Sequence, residues 1–219
     1  MKKLYIVIIL LLSVIIIDAN QLRIVYDKEL SILYPQLIKN SEIGQSFYGE
    51  LSGSADYYKI IADEPFDLCI NIMSPDIEDA RDDFSIAIYG DNNKRITLYG
   101  DRYEWVTYYE KSTEYRYWKG PSYEETLERG EYLIQVYNED NEGKYVLVIG
   151  DRETFFLTEA INYVLTMPKL SGFFEKPPVS TYFNRIGIFL FIALIILTVI
   201  IAFLVFLIQR LSIPKHRPL

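Results

Sequence analysis

The residues best able to do chemistry fall into two clusters. Asp76, Glu78, Asp79, Asp82 and Asp83 place five acids within eight residues. Hard oxygen donors crowded on one loop suit calcium, which accepts about six to eight of them at irregular spacing. The EF-hand pattern is absent, and the plainer alternative is a solvated acidic loop partly neutralised by Arg81. The second cluster is aromatic and runs from Tyr103 to Tyr123, with Trp105, Tyr108, Tyr109, Tyr115, Tyr117 and Trp118. Strand alternation puts Tyr103, Trp105 and Tyr109 on one face and Tyr108 on the other, so both faces carry rings. Trp105, Tyr109 and Trp118 are the candidate ligand-binding residues, because flat rings with polar edges give contact area at small entropic cost. An extracellular protein or a glycan would fit such a surface. The alternative is sandwich core with aromatic cross-strand pairs.

Catalysis has little to work with. The sole histidine is His216, near the C-terminal end, so the acidic middle cannot assemble a histidine-based triad and lacks the usual zinc ligands. No catalytic residue is assigned and no cofactor is expected, calcium at the acidic loop being the one candidate. The rival from another class is a cell-envelope hydrolase using carboxylates, since acid pairs for glycoside hydrolysis could be drawn from so many. Cys69 is the single cysteine and cannot form an internal disulfide. Alternation within Phe66–Met73 points it inward as a small core residue, an intermolecular bridge being the other reading.

The elements that would position these side chains are β-strands. Short runs rich in Tyr, Ile, Val and Phe alternate with Gly, Asp, Asn and Ser, which predicts strands near 45–50, 56–62, 66–73, 84–89, 95–99, 103–109, 132–138 and 144–149. Gly90-Asp91-Asn92-Asn93 and Asp140-Asn141-Glu142-Gly143 supply turns that tolerate positive φ. Eight such strands make a sandwich.

Several stretches carry a resemblance. Tyr48-Gly49-Glu50-Leu51, Ser52-Gly53, Asp56-Tyr57-Tyr58, Phe84 to Tyr89, Arg129 to Tyr137 and Gly143 to Ile149 together resemble the bacterial pre-peptidase C-terminal domain, a jelly-roll-like antiparallel β-sandwich of secreted and surface proteins. With Gly150 to Phe155 and the apolar C-terminal run, the layout is also similar to prokaryotic, especially archaeal, single-span membrane proteins. The resemblance implies a binding or accessory domain. It implies no catalytic residue.

Two apolar segments set the address. Residues 186–208 are 23 consecutive residues without charge, about 34 Å of helix and enough to cross a bilayer. Leu4–Ile17, behind Lys2 and Lys3 and ahead of Asp18-Ala19-Asn20, reads as a signal peptide cleaved after Ala19 or as an uncleaved signal anchor, Ile17 being unusual at the minus-three position. Lysines at the start and Arg210, Lys215 and Arg217 at the end give a positive-inside arrangement, with Arg185 dissenting. The expectation is a single-pass plasma-membrane protein with its large N-terminal domain outside and a short cytoplasmic tail. Residues 20–184 hold 16 Lys and Arg against 29 Asp and Glu, a net charge of −13, which argues against a nucleic-acid partner.

The expected organisation is a signal segment at 1–19, a lead segment at 20–43, an extracellular sandwich at 44–150, an amphipathic helix and membrane-proximal stalk at 151–185, a transmembrane helix at 186–208 and a basic tail at 209–219. Leu157, Ala160, Ile161, Val164 and Leu165 mark one face of the short helix, which Pro168 is expected to end. That helix packs on an edge or end of the sandwich or lies in the lipid interface. Phe173, Phe174, Tyr182 and Phe183 suit the headgroup region. The function expected is a membrane-anchored extracytoplasmic binding, adhesion or accessory module. A structural subunit of a membrane complex is a further alternative, with Thr198 and Ala202 as a small-residue pair.

Overall fold

A computed structural model of the chain describes residues 20–90, 95–111, 113–152, 157–178 and 185–212. The signal segment, the turn at 91–93 and the tail beyond 212 lie outside them. The described residues fall in two compact units, one within Ile16–Pro178 and one within Val179–Leu219.

The first unit is a two-sheet β-sandwich. Its strands are β1 (Gln21–Ile24), β2 (Gln36–Ile38), β3 (Gln45–Ser52), β4 (Asp56–Ala62), β5 (Phe66–Pro75), β6 (Ser85–Gly90), β7 (Arg95–Leu98), β8 (Val106–Glu110), β9 (Tyr115–Leu127), β10 (Gly130–Tyr137) and β11 (Glu142–Ile149). One sheet has the order β1-β3-β11-β5-β9-β8, the other β2-β4-β10-β6-β7. Alternation dictates the core: Phe47 and Leu51 of β3, Leu68, Ile70 and Ile72 of β5, and Leu147 and Ile149 of β11 meet Tyr58 and Ile60 of β4 and Ile134 and Val136 of β10 between the sheets.

Three strands go beyond the eight expected. β1 and β2 come from the segment read as a lead ahead of the sandwich. They pair parallel with β3 and β4 and form one edge of each sheet, so the sandwich begins near residue 21, not 44. The third, β9, is the longest strand at 13 residues. Cys69 also departs from expectation. Phe66, Leu68, Ile70 and Ile72 take the inward positions of β5, leaving Cys69 half-buried on the outer face, with its thiol 3.7 Å from Glu124 Oε1.

A helix, α1 (Leu157–Phe173), continues through Pro168. A mid-helix proline removes a backbone donor and crowds the preceding turn. Here burial of Met167, Leu170, Phe173 and Phe174 on the sandwich offsets that loss. The helix lies against the β1 edge, where Asn162 Nδ2 donates to the Leu22 carbonyl at 3.3 Å. Leu165, expected on the apolar face, is exposed. The second unit contains α2 (Arg185–Ser212), 28 residues long and about 42 Å at 1.5 Å per residue. Among the described residues no helix is long and apolar enough to cross a membrane.

Candidate functional site

The aromatic segment folds as a hairpin at the far edge of the six-stranded sheet, with β8 its last strand and β9 its partner. The register sets Val106 against Lys119, Thr107 against Trp118, Tyr108 against Tyr117 and Tyr109 against Arg116. By strand alternation Trp105, Thr107 and Tyr109 share the face of Trp118 and Arg116, while Tyr108 shares that of Tyr117 and Lys119. The three candidate binding residues therefore lie on one side of one hairpin.

Their burial differs, and that separates their roles. Trp105 packs against the core, and its indole Nε1 donates to the Gly100 carbonyl at 3.0 Å. Its ring lies over Gly120, where an added Cβ would come within 2.6 Å of the indole. Trp105 is thus a structural anchor. Trp118 is half-buried, and Tyr109 is 52% exposed, beside exposed Val106 and Tyr108. Lys119 Nζ lies 5.9 Å from the centre of the Tyr108 ring. Tyr108 Oη donates to Glu110 Oε2 at 3.0 Å, and burial together with the Glu110 charge pushes its pKa up to about 12. Among the described residues β8 has a strand neighbour on one side only, so exposed rings stand on an edge strand of the sheet.

Tyr115 and Tyr117, from the same aromatic segment, serve the opposite purpose. Phe174 stacks on Tyr115 with ring centres 4.0 Å apart and meets Tyr117 edge-on at 5.2 Å. Phe173 meets Tyr48 edge-on at 5.3 Å, and Tyr48 and Tyr117 hydroxyls are 3.1 Å apart. Phe173 and Phe174 are 3% and 4% exposed, so they are docked on the outer face of the six-stranded sheet and are not headgroup anchors. Lys144 reinforces the seat by pairing with Glu175 at 2.9 Å. Tyr182 and Phe183 lie outside the described residues.

The acidic loop does not converge on one point. Arg81 bonds both oxygens of Asp83, at 3.2 and 2.6 Å, and both of Asp140, at 2.9 and 3.1 Å. Those bonds hold the Asp140 carboxyl below its ordinary pKa. Asp76 faces Arg116 at 3.5 Å, while Glu78, Asp79 and Asp82 are exposed. Among the described residues no group of three or more His, Cys, Asp or Glu side chains is arranged to hold a metal ion. The loop is tied down by arginine, with Asn138 Nδ2 adding a bond to Asp83 Oδ1 at 3.1 Å.

Sequence reasoning did not single out Asp56, the carboxyl with the largest upward shift described here. It sits on β4 facing the core, 7% exposed, and accepts a hydrogen bond from Tyr145 Oη of β11 at 2.6 Å. Tyr145 has only one hydroxyl proton, so Tyr58 Oη, 2.7 Å from Tyr145 Oη, donates to it. The chain Tyr58 to Tyr145 to Asp56 ties the two sheets together. Burial pushes the Asp56 carboxyl up to about 6, against the pull of the Tyr145 bond. A raised carboxyl can mark a general acid, but this one is enclosed in the core. Tyr145 reaches across the sheet only because residue 49, its β3 partner, is glycine. A Cβ there would lie 2.7 Å from the Tyr145 ring carbon Cε1, with Cζ closer still.

A separate cleft of about 440 Å³ opens at the β2 edge, with Ile38, Ile60 and Phe66 lining it. Two of its charged groups, Glu42 and Arg152, are already partnered. Glu42 pairs with Arg152 at 2.9 Å and accepts from the Asp67 amide at 3.3 Å.

No protein-family model matches the chain, and no curated protein matches it. Among solved structures, a pre-peptidase C-terminal domain of a collagenase from Bacillus anthracis aligns at 12% identity with a TM-score of 0.33, over 57% of this chain and 97% of that one.

Proposed function

We propose that the chain is a membrane-anchored extracytoplasmic binding or accessory module. In this reading residues 186–208 cross the plasma membrane, and the sandwich is a pre-peptidase C-terminal-like domain that engages an extracellular protein or glycan through the β8–β9 hairpin. The observation that carries it is the edge strand β8, where exposed Tyr109 shares one face with half-buried Trp118, while exposed Val106 and Tyr108 occupy the other face. Rings presented on a rigid strand supply contact area with little entropy to lose. The apolar, uncharged run inside α2 and the strongly acidic composition of 20–184 support an anchored domain outside the cell. No enzymatic activity forms part of the proposal: the acids of the 76–83 loop are held by arginines or solvated, and Asp56 is committed to Tyr145.

The test is differential. Intact protein carrying Tyr109→Ala or Trp118→Ala should unfold close to the parent and lose most of its capture of envelope protein or glycan, about tenfold or more for a true contact residue. Trp105→Ala should instead lower the unfolding midpoint. Undiminished capture by folded Tyr109→Ala and Trp118→Ala variants would remove the hairpin from the reading.

A further inference from the structure

Ile32, Leu33 and Tyr34 are 61%, 80% and 77% exposed. Three consecutive large apolar side chains in water are costly without a purpose. They occupy a turn that closes on itself. The Ser31 amide donates to the Tyr34 carbonyl at 3.4 Å, and the Tyr34 amide donates to the Ser31 carbonyl at 3.1 Å with Ser31 Oγ at 3.3 Å. Pro35 follows and has no amide to satisfy. Leu37 and Ile61, also exposed, continue the apolar surface on the outer face of the five-stranded sheet, where Leu37 pairs with Lys59 two residues from Ile61.

Tyr26, at the approach to the turn, stacks on Phe173 at 5.8 Å, and its hydroxyl donates to the Lys169 carbonyl at 3.4 Å. Asp27 accepts from Lys169 Nζ at 3.4 Å. These contacts put the approach to the turn beside the C-terminal end of α1, and the uncharged run 186–208 begins twelve residues after Phe174. Lys28 and Lys39 bracket the turn, with Glu29 the only acid from 28 to 39, inside a sequence that is otherwise strongly acidic.

We propose that Ile32-Leu33-Tyr34 is a bilayer-seating tip that enters the interfacial layer of the membrane holding the chain. This rests on the anchored reading above. A convex apolar tip is matched to lipid, which yields around a protrusion; a protein partner would need a pocket shaped to receive it. The Ser31 and Tyr34 amides at the base of the turn are bonded within it, so they lose less when water is withdrawn, which is the condition lipid imposes. Tyr34 has the apolar body and polar edge suited to headgroup depth, and the exposed Lys28, whose Nζ donates to Gln36 Oε1 at 2.9 Å, is a cation near the base of the turn.

The test uses the full chain in phosphatidylcholine vesicles, in a Cys69→Ser background, with one environment-sensitive fluorophore at Leu33→Cys, Thr97→Cys or Leu204→Cys. Lipids carrying a quencher near the headgroup or deep in the acyl chains report depth, and aqueous iodide reports exposure. The expected result is strong quenching at 33 by the headgroup-level lipid, deep quenching at 204, and quenching at 97 by iodide alone. Deep quenching at 204 with iodide quenching at 33 would overturn the tip and leave the anchor standing. Protection at 33 from both iodide and lipid quenchers would show a protein contact, with a second copy or another chain, and would also overturn it. Absence of lipid quenching at 204 would remove the anchor and the tip together.

Discussion

Asp56→Asn is the sharpest probe of the link between the sheets. The substitution keeps an oxygen to accept the Tyr145 hydroxyl, which lies 2.6 Å from Asp56 Oδ2, and removes the charge. The carboxyl titrates at about 6 in the fold against an ordinary 3.8. A difference of about two units at about 1.4 kcal/mol each sets a ceiling of roughly 3 kcal/mol, and solvent screening of the carboxylate reduces the expected effect to about 1–2 kcal/mol. The sign follows from proton counting. A raised folded pKa means that the native state holds the proton more tightly than the unfolded chain, so this group's favourable contribution is complete below about pH 4. It is lost as pH rises through about 6 and stays constant above. Asp140, whose pKa is lowered by Arg81, acts in the opposite direction, so the comparison must be variant against parent at each pH. Urea unfolding of the intact chain can be followed by tryptophan fluorescence, since Trp105 and Trp118 are the only tryptophans and both lie in the sandwich. The Asp56→Asn variant should gain about 1–2 kcal/mol on the parent between about pH 4 and about pH 7. A difference that does not change over that interval would refute the buried, raised carboxyl.

Four further outcomes are expected. Gly49→Ala forces a Cβ onto the Tyr145 ring and should cost about 2–3 kcal/mol in thermal or urea unfolding; an unchanged midpoint would mean that Tyr145 can move aside. Phe174→Ala removes the ring stacked on Tyr115 and should cost about 3 kcal/mol, with faster proteolysis of α1 as a second readout. Chelator should leave the unfolding midpoint unchanged, and a calcium-dependent rise would restore the 76–83 acids as a metal site. The Cys69 thiol, whose pKa is raised chiefly by burial and by the nearby Glu124 charge, should react slowly with disulfide reagents at neutral pH and faster as pH rises.

The sandwich was legible because its strands obey period two and its turns carry glycine and asparagine. Tyr58 lies inward on β4 in step with strand alternation, and Asn141 and Gly143 adopt the positive φ that their turn requires. What escaped was where local chemistry and tertiary context disagree. Gly120-Pro121 reads as a turn that ends a strand, yet β9 runs through it, because the register with β5 slips between Asn71 and Met73 at that point. A bulge is where a proline's missing donor costs the ladder least. β1 and β2 are four and three residues long and parallel to their neighbours, too short for any periodicity to show. At the candidate site, alternation placed Trp105 and Tyr109 on one face, but only pairing across the hairpin could add Trp118 to it. The Asp56–Tyr145 contact joins residues 89 positions apart, beyond any local signal.

Phe173 and Phe174 show why composition alone misleads ahead of an apolar run. Aromatic rings just ahead of an apolar run have the same sequence signature whether they sit among headgroups or pack on their own domain. The difference lies in what the domain offers them. Tyr26, Tyr48 and the pair Tyr115 and Tyr117 come from three separate segments of the chain and make one aromatic seat on the six-stranded sheet. Rings that gain edge-to-face and stacked partners while leaving water have both burial and quadrupole terms in their favour. The segment read as a stalk is thereby part of the sandwich as far as the docked aromatics. Of the apolar residues weighed for a lipid contact in this unit, the exposed turn at 32–34 therefore remains, while Phe173 and Phe174 are already covered by their own domain.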